Sequence, residues 1–421
     1  MKIREVLFSK GQSAYFHVDF AAIRAGREED GFIYRGEVMT PNFNSIVEPA
    51  EIISVILVLD DGQTAFGDCT DVVYSGASGR DPIFLPADHL DLLRGEMSDL
   101  LSGREVELFR PAAVEFDEHR SHGVRLHVAI RYGITQALLH AVSLYKRATM
   151  AEIIAAEYDI PLPSTSVPIL STGELDDPKQ LDRMILKGVE LLPHAYYQST
   201  RQMLGIGAEH LFAYVGFVAR RILAIGGRHY RPRIVVDMGG TLGDLFENNL
   251  DTIVGCIGRA AAAAAPFDLL IETPLIGTSR DQHLELLADL RRRLKTSGVA
   301  VPIIADEWCN TFEDIKALIA AEASDFVQIK MPDLGGINNT IEAVLYCKAH
   351  GMGAFLGGSY NETDQSARVS THVALVTKPD FMVAKPGRGG DEAIMIQRNE
   401  MARTLALLER HRITRGVASG T

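Results

Sequence analysis

The sequence predicts an α/β fold in which a TIM-type (β/α) barrel follows a smaller α+β domain. Between Arg233 and Met331, four short apolar runs each end in a polar residue, at intervals of 35, 34 and 24 residues. Continuous apolar runs of this length are typical of parallel strands buried on both faces. Helical stretches such as Arg280–Leu294 and Thr311–Ala323 separate them, so the repeating unit is β-α.

The polar residues that end these runs are the first candidates for chemistry. They are Asp237, Glu272, Asp306 and Lys330. In a closed β/α barrel the carboxyl ends of the strands meet at one mouth, where active sites lie. The sequence therefore predicts that three carboxylates and one amine face a single point.

Three carboxylates in a dry pocket predict a bound cation, because each charge makes ionisation of the next more costly. Oxygen ligands favour a hard ion, and three carboxylates with open positions suit Mg²⁺ better than zinc. The alternative is that each residue caps a helix or begins a surface loop. That explanation is reasonable for Asp237 alone but poor for acids on three consecutive strands.

Composition limits the classes of function. The 421 residues are 47% hydrophobic and 23% charged, as expected for a globular chain of two or three domains. The net charge of −13 argues against nucleic acid and anionic membrane surfaces as partners. The N-terminus lacks an apolar signal core, and the four cysteines show no paired spacing. We therefore expect a cytoplasmic protein.

The N-terminal part follows a different pattern. Ile52–Leu59 and Thr64–Cys69, joined by an acidic turn with a glycine, predict an antiparallel hairpin. The glycine-rich stretch Tyr74–Pro82 lacks the ending of a phosphate loop, and we expect it to cover the barrel mouth. Ala87–Leu101 and Ala129–Arg147 are predicted helices.

Further strands complete a barrel of seven or eight units. They are predicted at Ser166–Leu170, at Gly188–Leu192 just before Pro193-His194, at Gly353–Gly358 and at Phe381–Ala384. The predicted domains are an α+β capping domain at 1–161 and the catalytic barrel at 162–410. The tail, 411–421, is expected to fray.

Lys330 and His194 are the candidate bases. Barrel order places His194 opposite Lys330, although a lone histidine is more often structural. A divalent cation beside Lys330 favours its neutral form, which can accept a proton. The cation also neutralises charge that develops on a carboxylate when the adjacent carbon loses its proton. A lysine or histidine base with Mg²⁺ is the arrangement of enolase-superfamily sites.

Several motifs carry a family resemblance over nearly the whole chain. They are Gly67-Asp68-Cys69, Tyr74-Ser75-Gly76-Ala77, Gly79-Arg80-Asp81-Pro82, Met184–Val189, Leu192-Pro193-His194, Ala305–Asn310, Gln328-Ile329-Lys330, Asn361-Glu362-Thr363, Ala384–Gly387 and Asn399-Glu400-Met401. On these motifs the sequence resembles the methylaspartate ammonia-lyase family, a branch of the enolase superfamily. The resemblance implies a modified TIM-type barrel with a capping domain, Mg²⁺, amino-acid degradation and a homodimer.

The resemblance also implies roles for single residues. Asp237, Glu272 and Asp306 would hold the metal. Lys330 would remove the C3 proton of L-threo-3-methylaspartate, from which ammonia leaves to give mesaconate. His194 would serve the opposite face of the substrate, and Gln328 would bind the carboxylate on the metal.

The chain departs from the family pattern around the amine and α-carboxylate of the substrate. Leu170 and Thr172 stand in the first barrel strand where the family has Phe and Gln, and Ser359 and Tyr360 replace Thr-Cys. Val73 replaces a glutamine in the capping loop. The resemblance thus implies methylaspartate or a related amino acid that differs at this end.

Two other functions remain open from the sequence. One is a different enolase-type reaction, a racemase, epimerase or dehydratase acting on a carboxylate, which would release no ammonia. The other is a catalytically silent barrel that serves as a binding or structural protein. The complete set of candidate acids with Lys330 argues against the second.

Overall fold

Eight parallel strands close into a barrel in which each strand pairs with the next along the chain and the last pairs with the first. The computed structural model describes residues 1–197, 203–388 and 390–418, with residues 413–418 described by their backbone only. The closed barrel, with helices between its strands, confirms the predicted fold class.

The strand bounds differ from the predicted ones mainly at strand ends. The strands are β1 Ile3–Val18, β2 Glu28–Asp30, β3 Ile33–Arg35, β4 Val47–Leu59, β5 Thr64–Cys69, β6 Arg120–Ser121, β7 Val124–Arg125, β8 Ile169–Leu170, β9 Leu191–Tyr196, β10 Arg233–Asp237, β11 Leu269–Glu272, β12 Ile303–Ala305, β13 Phe326–Ile329, β14 Gly353–Leu356 and β15 Phe381–Val383.

Helices surround the barrel and pack on the small sheet. They are Phe20–Arg24, Pro86–Leu92, a π-helical turn Leu93–Met97, Ser98–Leu101, Phe109–Glu118, Val128–Lys146, Met150–Glu157, Pro178–Leu186, Glu209–Ile225, Thr241–Leu245, Leu250–Ala264, Arg280–Thr296, Phe312–Ala320, Met331–Leu334, Ile337–Ala349, Asp364–Thr377 and Asp391–Ala418. Among the helices that the structure describes, none has both the length and the apolar character needed to span a bilayer.

The N-terminal part is a three-stranded antiparallel sheet in the order β1-β4-β5, covered by helices. The predicted hairpin of β4 and β5 is present, with Val58 paired to Thr64 beside the turn. The helix Val128–Lys146 packs so closely on β5 that a Cβ at Gly67 would lie 2.1 Å from the carbonyl oxygen of Gly133. The helices Phe109–Glu118 and Met150–Glu157 were not predicted.

The interior of the barrel is a packed core below the mouth. Its buried cluster is Leu170, Leu191, Val235, Leu270, Ile304, Phe355, Phe381 and Val383. Large apolar side chains fill such barrels in layers, so there is no pore. The polar residues that follow these strands therefore lie at the mouth, above a dry floor.

The last helix continues to Ala418, into the predicted tail, and the fraying of residues 411–421 stays a prediction. Residues 411 and 412 of this helix contact the capping domain and the segment that precedes the first barrel strand. His411 Nδ1 lies 2.8 Å from Glu152 Oε1, and Arg412 donates to the carbonyl of Pro163 at 2.7 Å. Residues 419–421 lie outside the described part of the chain.

Candidate active site and metal centre

The four predicted polar residues lie at the carboxyl ends of four consecutive strands. Asp237 ends β10, Glu272 ends β11, and Asp306 and Lys330 directly follow β12 and β13. Asp237, Asp306 and Lys330 line one cavity, and the fully buried Glu272 lies against its floor. All four residues thus lie at the carboxyl end of the barrel, and their roles stay a prediction.

The N-terminal part of the chain also lines this cavity. Tyr74 and Arg80 of the glycine-rich stretch, and Val72 and Val73 just before it, belong to the cavity wall. Tyr196, at the end of β9, faces Tyr74 with ring centroids 5.8 Å apart. The cavity is thus acidic toward the strand ends and largely apolar and aromatic under the capping loop.

His194 reaches the site through an irregularity in β9. The predicted strand stops at Leu192, but β9 runs on to Tyr196. Pro193 pairs with Val235 and Ala195 with Val236, so His194 is an extra residue, and its φ is +52°. Such bulges turn side chains in new directions. Here His194 Nε2 lies 2.9 Å from Glu272 Oε2.

The three predicted metal ligands are not equally close in the structure. Ligand atoms of Asp237, Glu272 and His194 lie within 4.8 Å of one another. Asp306 instead accepts a hydrogen bond from Lys330 Nζ at 2.7 Å. Its other oxygen, Oδ1, accepts no hydrogen bond from the described residues. The ammonium of Lys330 is therefore the counter-ion of Asp306 in this structure.

The charges at the strand ends are poorly compensated. Burial raises the pKa of Asp237 well above its usual value, and the charge of Glu272 adds to the effect. Burial likewise raises the pKa of Glu272, with Asp306 as the second cause. A cation relieves repulsion of this kind. Carboxylate oxygens on three neighbouring strands, one of which (Asp306 Oδ1) accepts no hydrogen bond from the described residues and has only the guanidinium of Arg80 at 3.8 Å, therefore fit a hard divalent ion such as Mg²⁺.

The pKa values of Lys330 and His194 shift in opposite directions. Burial opposes the charge on Lys330, but the carboxylates of Asp306, Glu307 and Asp333 together outweigh it and raise the lysine pKa. Burial lowers the pKa of His194, against the pull of Asp237. In a closed barrel of eight strands, β9 and β13 are separated by three strands on either side, so His194 and Lys330 lie on opposite sides of the mouth.

Arg80 belongs to the family motif Gly79-Arg80-Asp81-Pro82, but no role was predicted for it. It enters from the capping loop, is nearly fully buried, and donates to Glu307 at 2.6 Å and to Asp333 at 2.9 Å. Burial disfavours the charged form of Glu307, yet Arg80 and then Lys330 hold its pKa at about 2. The one indication in the sequence that Glu307 belongs to the site is that it directly follows Asp306.

The predicted substrate-binding residues divide into two groups. Gln328, Ser359, Tyr360 and Val73 line the cavity. Leu170 and Thr172 are not among the residues that line it. Leu170 belongs to the buried apolar cluster and pairs with Val383, which does line the cavity. Thr172 is 1% exposed, and its hydroxyl makes no hydrogen bond with the described residues. The assignment of these two residues to the substrate stays a prediction.

A buried ion pair fixes the loop that carries Ser359 and Tyr360. Lys385 Nζ lies 2.9 Å from Glu362 Oε2, and both side chains are fully buried. Glu362 also accepts from the amide of Ser359 at 3.0 Å and from the hydroxyl of Tyr132 at 2.6 Å. The pair thus ties a barrel loop to the capping helix that carries Tyr132.

Replacing Lys385 with methionine is expected to lower the free energy of unfolding by roughly 3–5 kcal/mol, because it leaves a buried carboxylate unpaired. Urea unfolding followed by circular dichroism measures the loss. The double variant Lys385→Met with Glu362→Gln removes both charges and should recover much of it. Equal stability of the single variant and the wild type would contradict a structural role for the pair.

Comparison with known proteins identifies the family. The profile "Methylaspartate ammonia-lyase N-terminus" matches residues 1–159, and "Methylaspartate ammonia-lyase C-terminus" matches residues 161–410. The chain belongs to the methylaspartate ammonia-lyase family. The division between the two profiles lies beside the predicted start of the barrel at 162.

Relatives of the family extend over nearly the whole chain. Methylaspartate ammonia-lyase 2 of Carboxydothermus hydrogenoformans is 46% identical over 412 residues, covering 97% of this chain and 99% of the relative. A magnesium complex of β-methylaspartase from Clostridium tetanomorphum superimposes with a TM-score of 0.90 at 43% identity, covering 98% and 100% of the two chains. The Citrobacter amalonaticus methylaspartate ammonia-lyase, solved with (2S,3S)-3-methylaspartic acid, gives 0.94 at 41% identity, covering 97% and 100%.

Proposed function

We propose that this chain is a Mg²⁺-dependent ammonia-lyase that converts L-threo-3-methylaspartate, or a close analogue, to an unsaturated dicarboxylate and ammonia. The observation that carries the proposal is the position of Lys330. Its amine follows β13 and lies 2.7 Å from Asp306, at the same mouth as Asp237 and Glu272. A base beside a cluster of acids suits proton abstraction next to a carboxylate.

Asp237, Glu272 and Asp306 are the residues that would hold Mg²⁺. The bound ion would stabilise the negative charge that develops on the carboxylate next to C3 when this carbon loses its proton. Gln328 lies 3% exposed in the cavity wall and donates to Glu272. Its amide is therefore oriented toward the acid cluster, where the same carboxylate would bind.

Lys330 takes the proton from C3 of the substrate in this mechanism. The electron pair of the broken C–H bond forms the C2–C3 double bond, and the C2–N bond breaks to release ammonia. His194, on the opposite side of the mouth, serves the other face and would take the C3 proton of the epimer. Val73, Ser359 and Tyr360 would surround the amine-bearing end of the substrate.

Ammonia release tests the proposal. With L-threo-3-methylaspartate and Mg²⁺, we expect ammonia and unsaturated-product absorbance to appear in a one-to-one ratio. Lys316→Ala is the matched control for Lys330→Ala. It removes an amine that is paired with the exposed Glu313, and it should keep the activity. Epimerised amino acid without ammonia would instead support a racemase or epimerase, and loss of water from a hydroxy acid would support a dehydratase.

We also propose that the protein works as a homodimer in the cytoplasm, with a capping domain at 1–161 and the barrel at 162–410. The resemblance to the family supports the dimer. All four cysteines are buried and free, which suits a reducing compartment. Light scattering after size-exclusion chromatography would give about 92 kDa for two 46.1 kDa chains.

A further inference from the structure

Arg388 is a partly buried cation behind the wall of the cavity, with a side chain that is 27% exposed. It follows β15, and its guanidinium donates to Glu174 Oε2 at 2.5 Å and to the hydroxyl of Tyr15 at 2.9 Å. Glu174 belongs to the loop after β8, and Tyr15 to strand β1 of the capping domain. Arg388 therefore joins two barrel loops to the capping domain.

Two tyrosine rings separate this guanidinium from the cavity. Its central carbon lies 5.4 Å from the ring of Tyr360 and 5.6 Å from the ring of Tyr15. The two rings meet edge to face, with centroids 5.6 Å apart. Tyr360 lines the cavity, and the amide of Gly387 donates to its carbonyl at 3.0 Å. Arg388 thus backs the ring that closes this end of the pocket.

The other cations of the cavity wall already have buried partners. Arg80 is paired with Glu307 and Asp333, and Lys330 with Asp306. Lys385 is paired with the fully buried Glu362. These pairs leave little positive charge for a second carboxylate of a substrate.

The partner of Arg388 is different because water reaches it. The side chain of Glu174 is 38% exposed and that of Arg388 is 27% exposed, so solvent screens this pair more than the buried pairs of the cavity wall. The guanidinium is turned toward the aromatic wall, where the dielectric is lower and its field reaches further. Burial raises the pKa of the Tyr360 hydroxyl, and Arg388 is the leading opposing influence, so its charge acts on this hydroxyl.

We propose that Arg388 is a positioning and specificity residue that supplies the positive potential for the carboxylate at the amine-bearing end of the substrate. It acts through Tyr360, whose ring it holds in place and whose hydroxyl it polarises as a donor. This inference rests on the proposed function, because only a substrate with a second carboxylate needs that potential. A neutral group at the same position gains nothing from Arg388.

A pair of ligands that differ by one charge tests the inference. The first is mesaconate, the dicarboxylate product, and the second is its monoamide, with the carboxylate next to the former amine-bearing carbon converted to carboxamide. Titration calorimetry in Mg²⁺ measures both dissociation constants. We expect Arg388→Met to weaken the dicarboxylate about tenfold while the monoamide changes little.

Two further variants separate charge from structure. Arg388→Lys keeps the charge and should retain most of the preference for the dicarboxylate. Arg35→Met removes the same charge from an exposed ion pair with Asp30 on the hairpin of β2 and β3. It should leave the dissociation constants of both ligands unchanged. Equal weakening of both ligands by Arg388→Met would show a purely structural role and overturn the inference.

Calorimetry needs no turnover, so the two proposals can fail separately. A protein that loses dicarboxylate preference in Arg388→Met but releases no ammonia from methylaspartate would contradict the proposed function alone. A protein that releases ammonia and keeps its preference in Arg388→Met would contradict this inference alone.

Discussion

Replacing Lys330 with alanine is expected to lower kcat/KM for L-threo-3-methylaspartate by about three orders of magnitude, within the range for loss of a general base. The amine lies at the mouth of the barrel beside Asp306, and none of the other described amines in the cavity wall can replace it, because Lys385 is fully buried with Glu362. Exchange of the C3 hydrogen with deuterated solvent, followed by NMR, separates proton removal from ammonia loss. The variant should lose this exchange.

His194 provides the complementary test. Lys330→Ala should spare activity on the C3 epimer more than activity on the preferred substrate. His194→Ala should show the reverse bias, because the two side chains lie on opposite sides of the mouth. If both variants lose both epimers equally, His194 binds or orients the substrate and is not a second base.

Loss of the metal is the second large expected effect. Chelator should abolish turnover while circular dichroism stays nearly unchanged, because the barrel is held by its apolar core. Asp306→Asn replaces a charged ligand with a neutral oxygen and should raise the Mg²⁺ concentration needed for half activity by about tenfold or more. Asp314→Asn changes an acid of the helix Phe312–Ala320 and serves as the control. Full activity in excess chelator would contradict the metal assignment.

The position of the acid cluster could be predicted because it depends on local sequence. Each run, such as Leu269–Glu272, contains its own strand and the polar residue at its end. Parallel strands of one barrel bring these ends together whatever the loops between them do. Knowledge of distant contacts was therefore not needed to predict the positions of Asp237, Glu272, Asp306 and Lys330.

The rest of the site depends on contacts between distant parts of the chain. Arg80 meets Glu307 across 227 residues of sequence, and Arg388 meets Tyr15 across 373. The periodicity of apolar residues does not predict such pairs. The sequence also predicted that the second barrel strand ends before His194, whereas β9 continues through this residue. An extra residue in a strand leaves no mark in the apolar pattern.

The residues of the first barrel strand depend on the same kind of distant contact. Leu170 and Thr172 were assigned to the substrate from the family pattern alone, and this assignment stays a prediction. The apolar pattern cannot give the depth at which a two-residue strand such as β8 ends. Leu170 belongs to the buried cluster, whereas its partner on the neighbouring strand, Val383, also lines the cavity.

The most direct test of the central claim is to locate the cation. Two donor sets compete: the predicted Asp237, Glu272 and Asp306, and the closer cluster of Asp237, Glu272 and His194. Crystals grown with Mn²⁺ in place of Mg²⁺ give an anomalous difference peak at the ion. We predict one peak within about 2.2 Å of an oxygen of each of the three carboxylates, with Lys330 displaced from Asp306. A peak bound to His194 and not to Asp306, or no peak at the strand ends, would contradict the account.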